Sequence, residues 1–580
     1  MTIMKLRLIC ILSVLCCVQW MSAQFTLDGK RPFYNRNDYI LLVSLPEDMF
    51  GKSHTFRFAA DDSIGWVGMD GYHITDRLWI PKISGDTVYT FLYRCNGSYW
   101  PAKLRFTHLP VVKLVGKIDE DYHVGEVLMQ VPEDTITRRM KAKIKWAGSS
   151  TNRPWYKKHN YHIKFLDDTL GKMEVSFNGL RKDNHWRLNG NVIDMGRIRN
   201  KVSNELWVDM ENKPYYADVQ PNARSYVRSF FVEYYDNDNY RGFCDFSEYM
   251  DRKQLKLKKY DDAVGEFHGM LWKAKEATWQ TLFAADSTYS NQEENWGEFE
   301  LEYPNLEDVS PTDYHILSDA IEFVQNSDDA TFRQHVGEYF DLPVLVDYYV
   351  FINVLLASDN TAKNIIWGCY DGAVDKKLTL AVWDLDAVMG QNWTNVDGYY
   401  HSPSVAPENE LTDVSELAGN RLFGRLMEWP VFRKQVNDRY WQLRDNDLLN
   451  PDSLIQRFFT HYEFLSHTGA LSREELMFDR STDLSGRNLD FDSEFQYVGD
   501  WIRRRITYLD ENTFKKEAVA LKGDVNEDNE VNVNDIALLV DVLLSSTVDD
   551  DLLQRADVDQ DGEVSVGDIS TIIDIILTTT

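Results

Sequence analysis

Apolar and polar positions alternate through residues 25–108, in stretches such as DYILLVSL, TFRFAA and KLRFTHL with Gly, Asp and Asn between them. A period of two broken by turn residues predicts a small all-β segment over 24–107. Its aromatic side chains are read as core, with sugar binding the weaker reading. Strands continue to about 250 (KAKIKWAG, NYHIKFLD, SYVRSFFVEYY), interrupted by one helical segment, RIRNKVSNELWVDM. From about 262 to 357 the spacing turns helical, as in DAIEFVQNS and FRQHVGEYF. A short strand pair comes next, NIIWGCY and LTLAVWDLD, and helices resume from RLFGRLMEWPVFRKQVNDRYWQLRD to WIRRRITYLDENTF. The expected class is α+β, a strand-rich lobe before a helical one, with a cleft of the kind that holds nucleotides.

Composition narrows the function. A chain of 580 residues with 43% hydrophobic and 13% aromatic content folds and has room for about three or four domains. The formal charge of −30 excludes nucleic acid as partner, since phosphate backbones require a basic surface. Lys5 and Arg7 precede an apolar run from Leu8 to Val18, and Ser22-Ala23 offers a small-residue cleavage site, so residues 1–23 read as a signal peptide. The run is too short for a membrane span, Leu15 before Cys16 is a poor fit to lipidation, and no later stretch qualifies as a span. The expected location is extracytoplasmic, secreted or at the cell surface. Cys95, Cys244 and Cys369 show no paired spacing and are expected as buried thiols, neither a disulfide framework nor a zinc site.

Residues 521–580 hold fifteen Asp and Glu against Lys522 and Arg555. The segment repeats itself: GDVNEDNEVNVNDIALLVDVLL and ADVDQDGEVSVGDISTIIDIIL are copies offset by 33 residues. Oxygen-bearing side chains fall at loop positions one, three, five and twelve: Asp524, Asn526, Asp528 and Asp535, then Asp557, Asp559, Asp561 and Asp568, with Glu530 and Glu563 completing the sets. That spacing wraps a twelve-residue, EF-hand-like loop around Ca²⁺, a hard cation wanting six to eight oxygens. Asn529 and Gly562 occupy the turn position. An apolar helix after each loop excludes a disordered acidic tail. The repeat resembles a type I dockerin over about 522–578, which implies a calcium-folded module and a cohesin-like partner. Val533-Asn534 and Val566-Gly567 stand where many cohesin-binding dockerins place hydroxyl residues.

The central chemistry gathers around LLASDNTAKNIIWG, where Asp359 stands five positions before Asn364. The bland reading is a turn with polar corners. Upstream, KWAGSSTNRPWYKKHNYHIKF places Gly148, Ser149 and Ser150 between two strands, ahead of Lys157 and Lys158. Small residues let backbone N–H groups approach phosphate oxygens, and lysines neutralise them. SFFVEYYDNDNYRGFCDFSEYM reads as a strand pair ending at Glu248, the place of an adenine-receiving hinge in kinase-like folds. Downstream, AVWDLDAVMG presents Asp384 and Asp386 directly after a strand. Phosphoryl transfer needs an orienting acid, metal ligands and a cationic clamp. Protein kinases use an acid and an asparagine five apart, then a metal-binding Asp after the next strands. Each element alone is more often structural, and it is their order that points to this chemistry.

Residues 108–515 resemble the CotH kinases, secreted relatives of a bacterial spore-coat protein. The resemblance rests on LPVVKL, GSSTNRPWYKK, NYRGFCDFSEYM, EFELEYPN, SDNTAKNIIW, WDLDAVMG, FGRLMEWPVFRKQVNDRYWQLR and WIRRRITYLDEN. It implies an atypical protein-kinase-like two-lobe fold that uses ATP and Mg²⁺ or Mn²⁺. It assigns Asp359 as the catalytic acid, Asn364 and Asp384 as metal ligands, and Lys157 or Lys158 as the phosphate contact. Ala147 stands where the family usually has Arg, and Ala357-Ser358 replaces the His-Arg of ordinary kinases, so no Arg-read activation loop is expected. The implied function is phosphorylation of a hydroxyl on a secreted or surface protein. The alternatives are AMP transfer or glutamylation on the same fold, or a non-catalytic adhesion or scaffold protein.

Overall fold

The computed structural model describes residues 25–60, 77–95, 98–148, 156–210, 212–261, 263, 265–285, 295–304, 313–392, 401–478, 489–516, 522–528, 530–545, 550–559 and 561–579. The expected signal peptide lies outside them. The chain forms two compact units, one through Leu509 and one from Asp510 onward.

In the first unit the N-terminal segment is all β. A three-stranded sheet (Phe25–Leu27, His54–Ala60, Arg77–Ile80) and a four-stranded one (Phe33–Tyr34, Ile40–Ser44, Ser98–Thr107, Tyr89–Cys95) share a core that includes Leu41, Phe56, Leu104 and Phe106. This segment is packed onto the rest of its unit. Phe33 and Leu42 meet Val111, Tyr235 and Tyr240, and the buried Lys30 ammonium donates to the carbonyls of Ser44, Val131 and Pro132. Burial lowers that lysine to about 8.

Seven strands then close into a barrel: Val111–Val115, His123–Gln130, Arg138–Ala147, Asn160–Leu166, His185–Asn189, Ser229–Asp236 and Asn239–Glu248. Alternation along each strand decides the faces. Ala142, Ile144, Ile163, Trp186, Leu188 and Phe246 fill the interior. Asn160, Arg187, Asn189 and Ser247 project outward, where a cleft forms.

The stretch 262–357, expected helical throughout, opens with strands instead. Met270–Ala274 and Phe299–Tyr303 join Asn295–Trp296, Ile365–Cys369 and Leu378–Val382 in an antiparallel sheet. Met270–Ala274 pairs on both sides and is almost wholly buried, so it shows no alternation and its apolar run mimics a helix segment. Helices His315–Asn326, Asp329–Tyr339 and Leu342–Leu355 come next, the last buried nearly all round. After the sheet come Arg421–Glu428, Pro430–Asp445, Pro451–Thr468, Ala470–Met477 and Phe491–Tyr508. Cys244 and Cys369 are buried free thiols, as expected.

In the second unit, helices Val533–Leu544 and Val566–Thr579 bury Val525, Leu539, Val542, Ala556, Val558 and Ile572 against one another.

Candidate functional site: an acidic cleft and two acidic loops

The cleft is narrow, with a free volume of about 20 Å³. One wall is the outer face of the barrel, carrying Asn160, Arg187, Asn189 and Ser247. The other is the segment Val382–Asp386, and Asn200 and Asn204 of the Arg199–Asp209 helix close it. Asn200 Oδ1 accepts the Leu385 amide at 3.1 Å, which fixes the Asp384-Leu385-Asp386 segment against that helix.

Asp359 sits on a short 3₁₀ turn, Ser358–Asn360, after the buried Leu342–Leu355 helix ends with Leu356 in a left-handed conformation, and neither it nor Asn364 is among the described residues lining the cleft. The turn is tied at several points. Tyr348 Oη donates to the Asn360 carbonyl at 2.6 Å, Asn360 Nδ2 donates to the Trp383 carbonyl at 2.8 Å, and Asn420 Nδ2 donates to the Thr361 carbonyl at 2.9 Å. The Asn360 bond links the loop bearing Asp359 to the residue before Asp384. Asn364 Nδ2 donates to Asp359 Oδ2 at 2.9 Å, so the five-residue spacing brings acid and amide into direct contact. Asn364 and Asp384 both have φ of +58°. Left-handed backbone is costly for non-glycine residues and persists where surrounding structure over-determines it, often at functional sites.

Burial pushes Asp359 up to about 6, opposed by the Lys363 charge and reinforced by Asp384 and Glu276. Burial likewise raises Asp386 well above the carboxylate range, with the charges of Asp384, Asp194 and Asp359 adding to the effect. Acids crowded this way lower their energy by sharing a cation. The donor set fits Mg²⁺ or Mn²⁺: both take few protein carboxylates and complete octahedral coordination from water and phosphate oxygens. Asp384 is exposed, and the Asn360–Trp383 bond ties its segment to the loop bearing Asn364, whose Oδ1 offers a second ligand oxygen.

The other expected nucleotide contacts fall differently. Gly148 has φ of +91°, a turn glycine, while Ser149 and Ser150 lie outside the described residues. Lys157 donates to the Met477 carbonyl at 3.1 Å. Lys158 is fully buried, its ammonium committed to Glu474 and the Phe243 carbonyl. Neither lysine is among the described residues lining the cleft, and Lys158 is held in a buried ion pair with Glu474. Glu248 is also buried. It accepts the Arg181 and Arg228 amides and Gln254 Nε2, and pairs with Arg228 at 3.1 Å, which makes it a strut behind the cleft wall.

Three groups were not singled out from sequence. Arg187 is 8% exposed, lines the cleft, has its Nε without a hydrogen-bond partner, and places its guanidinium 4.8 Å from the Trp383 ring centre. Strand alternation in HWRLN already sets Arg187 opposite Trp186 and Leu188, but nothing local distinguishes it from any outward arginine. Asp194 and Arg199 form the second and third. Arg199 is fully buried and donates to Asp194 at 2.6 Å, to Glu494 at 2.6 Å and to the Val388 carbonyl at 2.9 Å.

The C-terminal unit repeats one hydrogen-bond pattern twice. The Asp528 amide donates to Asp524 at 3.1 Å and the Asp561 amide to Asp557 at 3.1 Å. Glu530 and Glu563 donate their amides to Asp528 and Asp561, each at 2.9 Å. Asp535 accepts the Val525, Asn526 and Asn532 amides, and Asp568 accepts those of Val558, Asp559 and Ser565, so each carboxylate ties the two ends of its loop together. Carboxylate oxygens of Asp557, Asp559 and Asp561 approach within 4.8 Å of one another, a spacing suited to one Ca²⁺. Asn526 Nδ2 bonds Asp528 in the first loop, where Asn529 lies outside the described residues. Among the described residues no helix is long and apolar enough to cross a membrane.

Comparison with known proteins gives two family matches. The dockerin type I domain matches residues 522–577, and dockerins of this type bind cohesins. No curated protein matches the chain. A crystal structure of the I9–I11 tandem from titin is similar at 13% identity over 24% of this chain, with a TM-score of 0.09. The alignment spans 61% of that chain, and a likeness so slight carries no argument. The CotH kinase protein family matches residues 144–509, a stretch that holds Asp359, Asn364, Asp384, Asp386 and Arg187 and exceeds half the chain. The protein belongs to the CotH kinase family and carries a dockerin type I domain after it.

Proposed function

We propose that this protein is an exported protein kinase of CotH type, transferring the γ-phosphoryl group of ATP to a hydroxyl on a secreted or surface protein. The observation that carries the reading is the Asp359–Asn364 hydrogen bond at 2.9 Å, tied through Asn360 to the segment bearing Asp384 and Asp386. Barrel and helical sheet region would form the two lobes about the cleft. A bound Mg²⁺ or Mn²⁺ neutralises phosphate charge and orients the phosphates for in-line transfer. Asp384 and Asn364 would hold it, with Asp386 adjacent. Arg187 would face the phosphates in the role expected of Lys157 or Lys158, since a guanidinium with an unpartnered Nε beside acids can donate bidentately to phosphate. Asp359 would orient the acceptor hydroxyl and take its proton. The dockerin unit would bind Ca²⁺ and dock the enzyme on a cohesin-like partner.

Incubating purified protein with a protein acceptor, Mn²⁺ or Mg²⁺, and ATP labelled at either the γ- or the α-phosphate tests this. Transfer of γ-label, reduced at least ~10²-fold by Asp359→Asn with ATP affinity little changed, is the expected result. Transfer of α-label marks AMP transfer instead, and no transfer under either label returns the glutamylation or scaffold readings.

A further inference from the structure

Lys363 neither binds metal nor lines the cleft wall, yet it lies between the two residues that define the site. Its ammonium is 3.0 Å from Asp359 Oδ1, with both side chains largely shielded, at 22% and 18% exposure. Asn364 Nδ2 holds the other oxygen, Oδ2, at 2.9 Å. Each carboxylate oxygen therefore has its own donor. The terminal torsion of an aspartate is broad and nearly two-fold, so one donor alone leaves the carboxylate free to swing. Two donors, one on each oxygen, fix its plane.

The grip is built from the neighbouring strand. Where Met270–Ala274 ends, the Ala274 carbonyl accepts the Asn364 amide at 2.9 Å, setting the left-handed turn at Asn364. Two residues on, Glu276 reaches Lys363 from the far side at 3.7 Å. Glu276 is 61% exposed, so that contact steers the lysine more than it holds it.

We propose that Lys363 is the positioning residue for Asp359, holding Oδ1 while Asn364 holds Oδ2, so that the free lone pair of Oδ1 points at the acceptor hydroxyl. This rests on the kinase reading above. Misplacing a catalytic group by about 1 Å costs on the order of 10²-fold in rate, which sets the scale of what the lysine protects.

The test uses the full chain with ATP and Mn²⁺. Lys363→Met should lower kcat about 10- to 100-fold and leave the KM for ATP within about twofold, because the lost interaction orients an acid and does not bind nucleotide. Lys363→Arg, which keeps the charge, should recover most of the loss. In an Asp359→Asn background, Lys363→Met should add no further loss, since the group it positions is gone. Unchanged kcat in Lys363→Met, a rise in KM in its place, or full additivity with Asp359→Asn each overturns the proposal while the kinase reading stands. A wild-type protein without transfer overturns both. Should Lys363→Met fail to fold, Lys363→Gln, which keeps a polar chain but removes the charge, carries the same comparison with the same expected loss in kcat, and an unchanged kcat there overturns the proposal.

Discussion

Arg199 is the structural keystone of the cleft, and its removal is the sharpest test of how the site is held. The side chain is fully buried and serves three elements at once. It pairs with Asp194 on the segment leading into its own helix and with Glu494 on the Phe491–Tyr508 helix, both at 2.6 Å. It also donates to the carbonyls of Val388 and Met389, which lie just beyond the Asp384–Asp386 segment. Arg199→Met would leave two buried carboxylates short of a cation. Asp194 keeps the Gly196 and Arg199 amides at 2.8 Å, and the His401 ring lies 3.0 Å from Glu494 without hydrogen-bond geometry. Breaking a buried pair by deleting one partner costs about 3–5 kcal/mol, and the retained donors place this case near ~4 kcal/mol. Adding Glu494→Gln, which relieves one stranded charge, should restore about 1–2 kcal/mol. Urea unfolding followed by tryptophan fluorescence measures both variants. A loss under about 1 kcal/mol in Arg199→Met would refute the keystone role, as would a double variant less stable than the single one.

Asp384→Ala should abolish metal-dependent transfer with the fold intact by circular dichroism, and equal activity of variant and wild type would remove Asp384 from the metal site. A fragment of residues 510–580, a compact unit with its own core, should gain helix on adding calcium at about 10⁻⁶–10⁻³ M and lose it in chelator, and a spectrum indifferent to calcium would refute metal binding by the repeat. His185 is lowered to about 3 by burial first and then by Lys164, so it stays neutral in the fold. Its contribution is present above about pH 6.5 and is lost as pH falls toward 3, by at most about 1.4 kcal/mol per unit; His185→Phe should flatten that slope in urea melts at about pH 7, 6 and 5.

What the sequence determined by itself was local. Each acidic loop carries its oxygen-bearing side chains within twelve consecutive residues, so spacing alone marks the candidate donor set, and the structure brings Asp557, Asp559 and Asp561 together. Asp359 and Asn364 are legible for the same reason, five residues apart across a single turn and hydrogen-bonded to each other. The strands expected between about 109 and 250 are likewise among those that close the barrel. Tertiary structure decided whatever depends on partners far along the chain. Lys158 comes after a glycine-serine turn, and only the fold sets it against Glu474, distant by 316 positions. Arg187 looks like any outward arginine until Trp383 and the acids fold across from it. Met270–Ala274 reads as part of a helical stretch because a strand paired on both sides and buried on both faces loses the alternation that marks a strand. Periodicity and short motifs are written within a few residues of each other. The desolvation and ion pairing that sort core charge from functional charge arise only when distant segments meet.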